Sequence, residues 1–249
     1  MSGRLVLPRP RSGGPFLVAA HRGDRVHCPE NSLAGFRRAI EAGADLLETD
    51  LRPTADGRFV CFHDRTLERT SSGRGEVERR SFQELAAFRL RRGDVAWPDE
   101  KIPSLEELAG LCPGDVYLAL ELKSRRFAEL EACAALVRTL DHLGMRKRVI
   151  LLSFHARHLA TMTSAAPDIP GGIVAFAPWP RGSFDILGPV PHVLLMNPLY
   201  VRTAHRRGQV VCPLDTAPDS RLLRYRRLGV DAVLSDDPGK TVDAALRLR

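Results

Sequence analysis

The sequence predicts an α/β chain folded as a (β/α)8 barrel, the TIM architecture. Short apolar runs alternate with segments of helical periodicity from residue 16 to the end, the pattern of parallel strands covered by helices. Run after run also stops on a polar or ionisable residue: His21, Glu48 with Asp50, His63, Glu121 with Lys123, Ser153, Asn197, Asp215 and Asp236. A barrel gathers its strand C-termini around one mouth, whereas an open sheet spreads them along an edge. Finally, 249 residues with 44% hydrophobic and 27% charged content suit one large domain with a substantial core.

In chain order, residues 1–15 are rich in Pro, Gly and Arg and read as a loosely ordered lead-in, with a single domain over 16–249. Strands are expected at "FLVAAH" (16–21), "DLLETD" (45–50), "RFVCFH" (58–63) and "VYLALELK" (116–123). They continue at "RVILLSF" (148–154), "GGIVAF" (171–176), "HVLLMN" (192–197), "QVVCPLD" (209–215) and "VDAVLSD" (230–236). Helices are expected near 31–42, 81–91, 104–111, 126–143, 155–165, 199–207, 218–228 and 238–248. These strands outnumber the places in the barrel by one. The link "LRPTADG" between Asp50 and Arg58 is too short for a crossover helix, which needs about ten residues or more. The barrel should therefore be irregular over 45–63, through a hairpin or a lost helix. Residues 64–103 are polar, Gly-bearing and long for a connection, an insertion flanking the mouth.

The net charge of +7 favours anionic ligands, yet the arginines are scattered among acids without a basic block, which speaks against nucleic acid as a partner. Cys28, Cys61, Cys112, Cys133 and Cys212 form an odd set with no CxxC spacing and read as reduced thiols. "FLVAA" is too short for a signal-peptide core, and no run approaches the ~20 apolar residues of a membrane span. A cytoplasmic chain without stable membrane insertion, monomeric or homodimeric, is expected.

Glu48 and Asp50 lie two apart on a strand and so emerge on one face, as do Glu121 and Lys123. Bare carboxylates inside a barrel are costly without a partner. Three converging on one mouth make an all-oxygen site suited to Mg2+ or Ca2+ and unsuited to zinc. The competing reading pairs Glu48 and Asp50 with arginines of adjacent strands. His21 and His63 each end a strand, and one imidazole can accept a proton while the other donates one. His27, His142, His155, His158 and His205 lie in a loop or in and beside helices, where a solvated face is expected, and His192 should start a strand away from the mouth. Arg22 and Lys123 supply positive charge for a phosphate, or else neutralise the acids. In "PENS", Pro29 and Glu30 suit a first helical turn capped by Asn31 or Ser32, and Glu30 is a secondary candidate for the cation.

"HRG" followed by "PENS", then "GADLLETDLRPTADGRFVCFHDRTLERTSSGRGEV", "IPSLEEL", "LALELK", "LLSF" and "GVDAVLSDDP" resembles the glycerophosphodiester phosphodiesterase family. The resemblance spans residues 18–238. It implies a TIM barrel that hydrolyses a small-molecule glycerophosphodiester to sn-glycerol 3-phosphate and an alcohol. It further implies catalytic histidines at His21 and His63, divalent-metal carboxylates at Glu48, Asp50 and Glu121, and phosphate-contacting residues at Arg22 and Lys123. The chain departs from the family late on, where a strand usually close to "WTVN" reads "VCPLD", so Cys212 stands at the tryptophan position. Two other readings use the same barrel. One is phospholipase-D-like cleavage of a lysophospholipid or sphingomyelin, with an apolar groove from Phe82, Leu85, Phe88 and Trp97. The other is a non-catalytic phosphate-binding barrel.

Overall fold

A computed structural model describes residues 8–248. It opens with β1 (Leu17–His21), α1 (Leu33–Glu41), β2 (Leu46–Pro53) and β3 (Phe59–Cys61). The insertion holds α2 (Phe82–Leu85), β4 (Arg89–Arg92) and β5 (Val95–Lys101). Then come α3 (Leu105–Leu111), β6 (Tyr117–Leu122), α4 (Leu130–His142), β7 (Val149–Ser153), α5 (Ala156–Ala165) and β8 (Gly171–Ala175). The last third carries β9 (Ile186–Pro189), α6 (Pro191–Met196), α7 (Tyr200–Arg206), β10 (Val210–Val211), α8 (Leu222–Leu228), β11 (Ala232–Ser235) and α9 (Pro238–Leu246).

Eight parallel strands follow the order β10-β9-β8-β7-β6-β2-β1-β11, a nearly closed TIM barrel. No ladder joins β10 to β11. The seam is instead crossed by Asp231 N–H donating to Val211 O (3.1 Å), Val211 N–H donating to Asp231 Oδ2 (2.8 Å), and Asp236 N–H donating to Thr216 O (2.8 Å). Alternation sorts each strand. Leu17, Ala19, Leu46, Ala119, Ile150, Ile186 and Leu234 line the lumen, while Val18, Leu47, Leu118 and Val233 meet the helices outside. The helices begin on local caps. Ser32 Oγ accepts from Gly35 N–H, and Ser104 with Glu107 forms a capping box that starts α3.

The irregularity over 45–63 is a hairpin: β3 pairs antiparallel with β2, Leu51 opposite Cys61. Three sequence expectations give way. Residues 192–197 are not a strand but α6, begun by Pro191 at its first turn, so His192 and Asn197 are helical and C-cap residues. The strand in that place is Ile186–Pro189, whose Gly and Pro read as a turn in isolation. Over 209–215 only Val210–Val211 pair as a strand, because Pro213 has no N–H to continue the ladder. The helix expected over 81–91 stops at Leu85, and Arg89–Arg92 turns back as β4 against β5.

Leu85 is buried in a small core with Val60, Phe62, Leu67, Val77, Leu90 and Ile102, and Phe82 and Phe88 pack on it. Those side chains clamp the insertion to β3, so Leu85 packs in this core instead of lining a groove. Of the expected lead-in, residues 1–7 lie outside the described residues. Residues 8–15 are docked: Arg11 reaches Asp115 Oδ2 (2.8 Å), Ala44 O (2.9 Å) and Ile40 O (3.3 Å). His158 is buried rather than solvated, its ring beside Ser153 Oγ and Leu122 O.

Candidate active site

Strand register assembles the site. Pairing of β1 with β2 sets His21 opposite Glu48, and pairing of β2 with β6 sets Asp50 opposite Glu121. Carboxylate oxygens of Glu48, Asp50 and Glu121 consequently lie within 4.8 Å of one another. Burial raises the Glu48 carboxyl well above the usual range, and the Asp50 and Glu121 charges push the same way. Burial also raises Glu121, against the pull of Lys123.

Both alternatives foreseen for Arg22 and Lys123 meet here. Lys123 Nζ stands 2.6 Å from Glu121 Oε1 and 3.4 Å from Asp50 Oδ1, and Arg22 Nε 2.9 Å from Asp50 Oδ2. Those contacts do not satisfy the acids. Asp50 Oδ1 and Arg22 Nε are both buried without a hydrogen-bond partner among the described residues. Three carboxyl groups make a cluster of hard oxygens beside two cations, one of which, Arg22, is shared with Glu30. That donor set, with a bare oxygen in it, fits a metal ion.

The turn after β1 places Arg22. Its φ is +58°, and Asn31 has φ +56°, the two non-glycine residues with positive φ among the described residues. Such conformations persist where surrounding bonds over-determine them. Arg22 N–H donates to Glu48 O and Glu48 Oε2 (both 2.9 Å), and Asn31 N–H donates to Arg22 O (3.0 Å). Asn31 Nδ2 then donates to Asp50 Oδ2 (2.9 Å), while its Oδ1 accepts from Thr49 Oγ1 (2.7 Å). Ser32, not Asn31, caps α1.

Glu30 is not gathered with the acids. Arg69 grips it at 3.0 and 2.7 Å, and Arg22 and Arg25 lie at 3.1 and 3.5 Å. Burial alone would raise its pKa. The Arg69 hydrogen bonds and the charges of Arg22, Arg69 and Arg25 outweigh that and hold it at about 2. Glu30 is thus tied into an arginine cluster instead of the candidate metal site.

His21 and His63 both stand at the C-terminal end of the barrel, each with an acid on Nδ1: Asp236 Oδ1 at 2.6 Å and Asp64 Oδ1 at 2.6 Å. Burial lowers both imidazoles below their ordinary value, opposed for His21 by the Asp236 bond and for His63 by the Asp50 charge. The His63 carbonyl is fixed by Arg52, whose Nε and Nη2 donate to it at 3.1 and 2.9 Å. Arg69 Nε donates to Asp64 and so links the His63 side of the mouth to Glu30. Asn31, Asp64, Arg69 and Asp236 all lie inside the motifs "PENS", "HDRTLERT" and "LSDDP"; Asp64 serves the histidine beside it, whereas Asn31, Arg69 and Asp236 reach atoms distant in sequence.

Comparison with known proteins identifies the family. The family model for the glycerophosphoryl diester phosphodiesterase family matches residues 21–240. A glycerophosphodiester phosphodiesterase of Caldanaerobacter subterraneus subsp. tengcongensis is 30% identical over 230 residues, covering 89% of this chain and 94% of the relative. The crystal structure of a Silicibacter pomeroyi protein superposes with TM-score 0.82 at 25% identity, covering 94% of each chain. An Oleispira antarctica phosphodiesterase, solved in complex with its product sn-glycerol-3-phosphate, superposes with TM-score 0.81 at 28% identity, covering 94% of this chain and 97% of that one. The matched span begins on the histidine that ends β1 and takes in every residue of the mouth described above, so the chain belongs to the glycerophosphoryl diester phosphodiesterase family.

Proposed function

We propose that this chain hydrolyses glycerophosphodiesters to sn-glycerol 3-phosphate and an alcohol, with His21 and His63 exchanging protons at a site where Glu48, Asp50 and Glu121 hold a divalent cation. The supporting observation is the convergence of these five groups by strand register, with Asp50 Oδ1 left unbonded among them. What a divalent ion supplies when held by the three acids is neutralisation of the phosphate charge.

The chain's own groups do the rest. Arg22 and Lys123 flank the acids and offer the phosphate a guanidinium and an ammonium. Asp236 and Asp64 each accept from an imidazole Nδ1–H, which fixes the tautomer and leaves Nε2 as the reactive atom of both histidines. One Nε2 takes a proton from the attacking hydroxyl as its oxygen bonds to phosphorus. The other, protonated, gives its proton to the alcohol oxygen as the P–O bond breaks. Burial lowers both imidazole pKa values, which favours the accepting ring, while the Asp236 and Asp64 hydrogen bonds pull the other way and favour the protonated ring that donates.

The test is release of glycerol 3-phosphate from a small set of glycerophosphodiesters, with and without chelator. Turnover should vanish with chelator and return with Mg2+ or Ca2+, and His21→Ala or His63→Ala should lower kcat by about a hundredfold or more. Full turnover in excess chelator would overturn the metal role.

A further inference from the structure

Across the barrel from Glu48 and Asp50 the rim of the mouth is apolar on its outer surface. β2, which carries those acids, and β9 stand four places apart in the strand order, on opposite sides of the ring. Among the described residues ten large apolar side chains are exposed, and five of them, Phe176, Trp179, Leu195, Met196 and Leu199, fall between residues 176 and 199. Met196, at 71% exposure, is the barest of the ten. The segments that carry the five follow the C-terminal ends of β8 and β9, where a barrel has its mouth. Asn197 joins the two segments: its Nδ2 donates to Pro178 O (2.7 Å), and its Oδ1 accepts from Leu199 N–H (3.0 Å). Arg224, in the first turn of α8, reaches the same place and donates to Leu195 O (3.0 Å).

The charge around this carbon has one sign. Residues 171–230 contain eight arginines and three aspartates, with no lysine or glutamate, a surplus of five positive charges out of the chain's seven. The aspartates are engaged: Asp185 accepts from Gly171 N–H, Asp215 from Arg221 and Tyr225, and Asp219 from Thr241. Arg181 stands two residues beyond Trp179, and Arg202 stands one helical turn beyond Leu199 on α7. Both are exposed, as is Arg224, and none of the three forms an ion pair among the described residues. Exposed arginines elsewhere do find acids, as Arg38 does in Asp24 (2.6 Å) and Arg65 in Glu76 (2.9 Å).

We propose that this rim is a docking surface for a bilayer of anionic lipid, which seats the molecule peripherally with its mouth turned toward the membrane. Charge and side-chain type together set the occupant. Nucleic acid would meet the arginines but gains little from Leu195, Met196 and Leu199. A bilayer of acidic lipid offers anionic head groups to the arginines and hydrocarbon directly beneath to those side chains. Tryptophan favours the boundary between the two. No helix among the described residues is long and apolar enough to cross a membrane, so the contact is one of lying on the surface. Docking is independent of what the mouth hydrolyses.

The experiment sediments the chain with vesicles of phosphatidylglycerol or of phosphatidylcholine. Binding should favour phosphatidylglycerol by about tenfold or more and weaken as salt rises, since each basic side chain at an anionic surface contributes about fivefold. Met196→Ser with Leu199→Ser, and separately Arg202→Gln with Arg224→Gln, should each lower it by about tenfold or more. All four side chains are exposed, and an unchanged melting temperature shows that the variants are folded. Trp97→Phe leaves Trp179 as the one tryptophan, whose emission should shift to the blue on phosphatidylglycerol vesicles. Absence of binding to phosphatidylglycerol, equal binding to the two lipids, undiminished binding in both pairs of variants, or an unshifted Trp179 emission overturns the proposal. A dimer that the apolar pair dissociates, with vesicle binding unaffected, gives the rim to a second copy of this chain and overturns it too. So does binding to a single-stranded oligonucleotide that exceeds binding to the vesicles and is lost in the same variants.

Discussion

At the scale of single residues, each proposed proton-transfer histidine carries its own carboxylate. Asp236→Asn should leave the chain folded but unable to fix the His21 tautomer, lowering kcat by about tenfold or more with little change in KM. Steady-state kinetics on a short glycerophosphodiester would show it. Arg69 offers a second measurement, because it holds Glu30 and Asp64 together, each at a pKa of about 2. A carboxylate whose folded pKa lies below its ordinary value stabilises the fold fully above that ordinary value. The stabilisation is lost as pH falls through the folded pKa, here from about 4.5 towards 2. Wild-type melting temperature should therefore drop steeply over that window. Arg69→Met should lie lower at neutral pH and fall less steeply in acid; parallel curves would contradict the linkage. The ionisable members of the candidate site stood out as His21, His63, Glu48, Asp50, Glu121, Arg22 and Lys123 within or just after apolar runs, although β2 continues to Pro53, past Asp50. Of their supports, Asp64 adjoins His63, but the others were hidden by distance along the chain. Asp236 is 215 positions from the ring it holds, and only the pairing of β1 with β11 brings them together.

At the scale of elements, the turn from β1 to α1 sets the geometry of the mouth. Gly23 has φ +79°, and a Cβ there would stand 2.8 Å from Gly35 C and 3.0 Å from Gly35 O. Gly23→Ala combines an unfavourable backbone conformation with a clash against backbone, so urea unfolding should show a loss of at least about 1 kcal/mol. Because Arg22 precedes it, kcat/KM should fall too. Most elements were readable from apolar periodicity, and α3 in particular announces its capping box as Ser104 with Glu107. The missed β9 and α6 share a cause. β9 is a short strand containing Gly and Pro, and α6 is a short helix of strand-like composition, so neither has enough length for its period to declare itself.

At the scale of the whole molecule, the barrel was readable because apolar runs alternating with helical segments, several of the runs followed by polar residues, have few other arrangements. Where the ring fails to close was not, since it depends on the two-residue length of β10 and the Pro213 that follows. Amide hydrogen exchange should be faster at Val210 and Val211 than at Leu118 and Leu120 of β6, which has neighbours on both sides. Equal protection would mean that the Asp231 side chain, which accepts from Val211 N–H, seals the ring as well as a ladder does. The same gap bears on chemistry. Asp236 contributes its amide to the seam and its carboxylate to His21, so a loosening there would slacken an imidazole before any helix is disturbed. On warming, this protein should fall silent while it still has its shape.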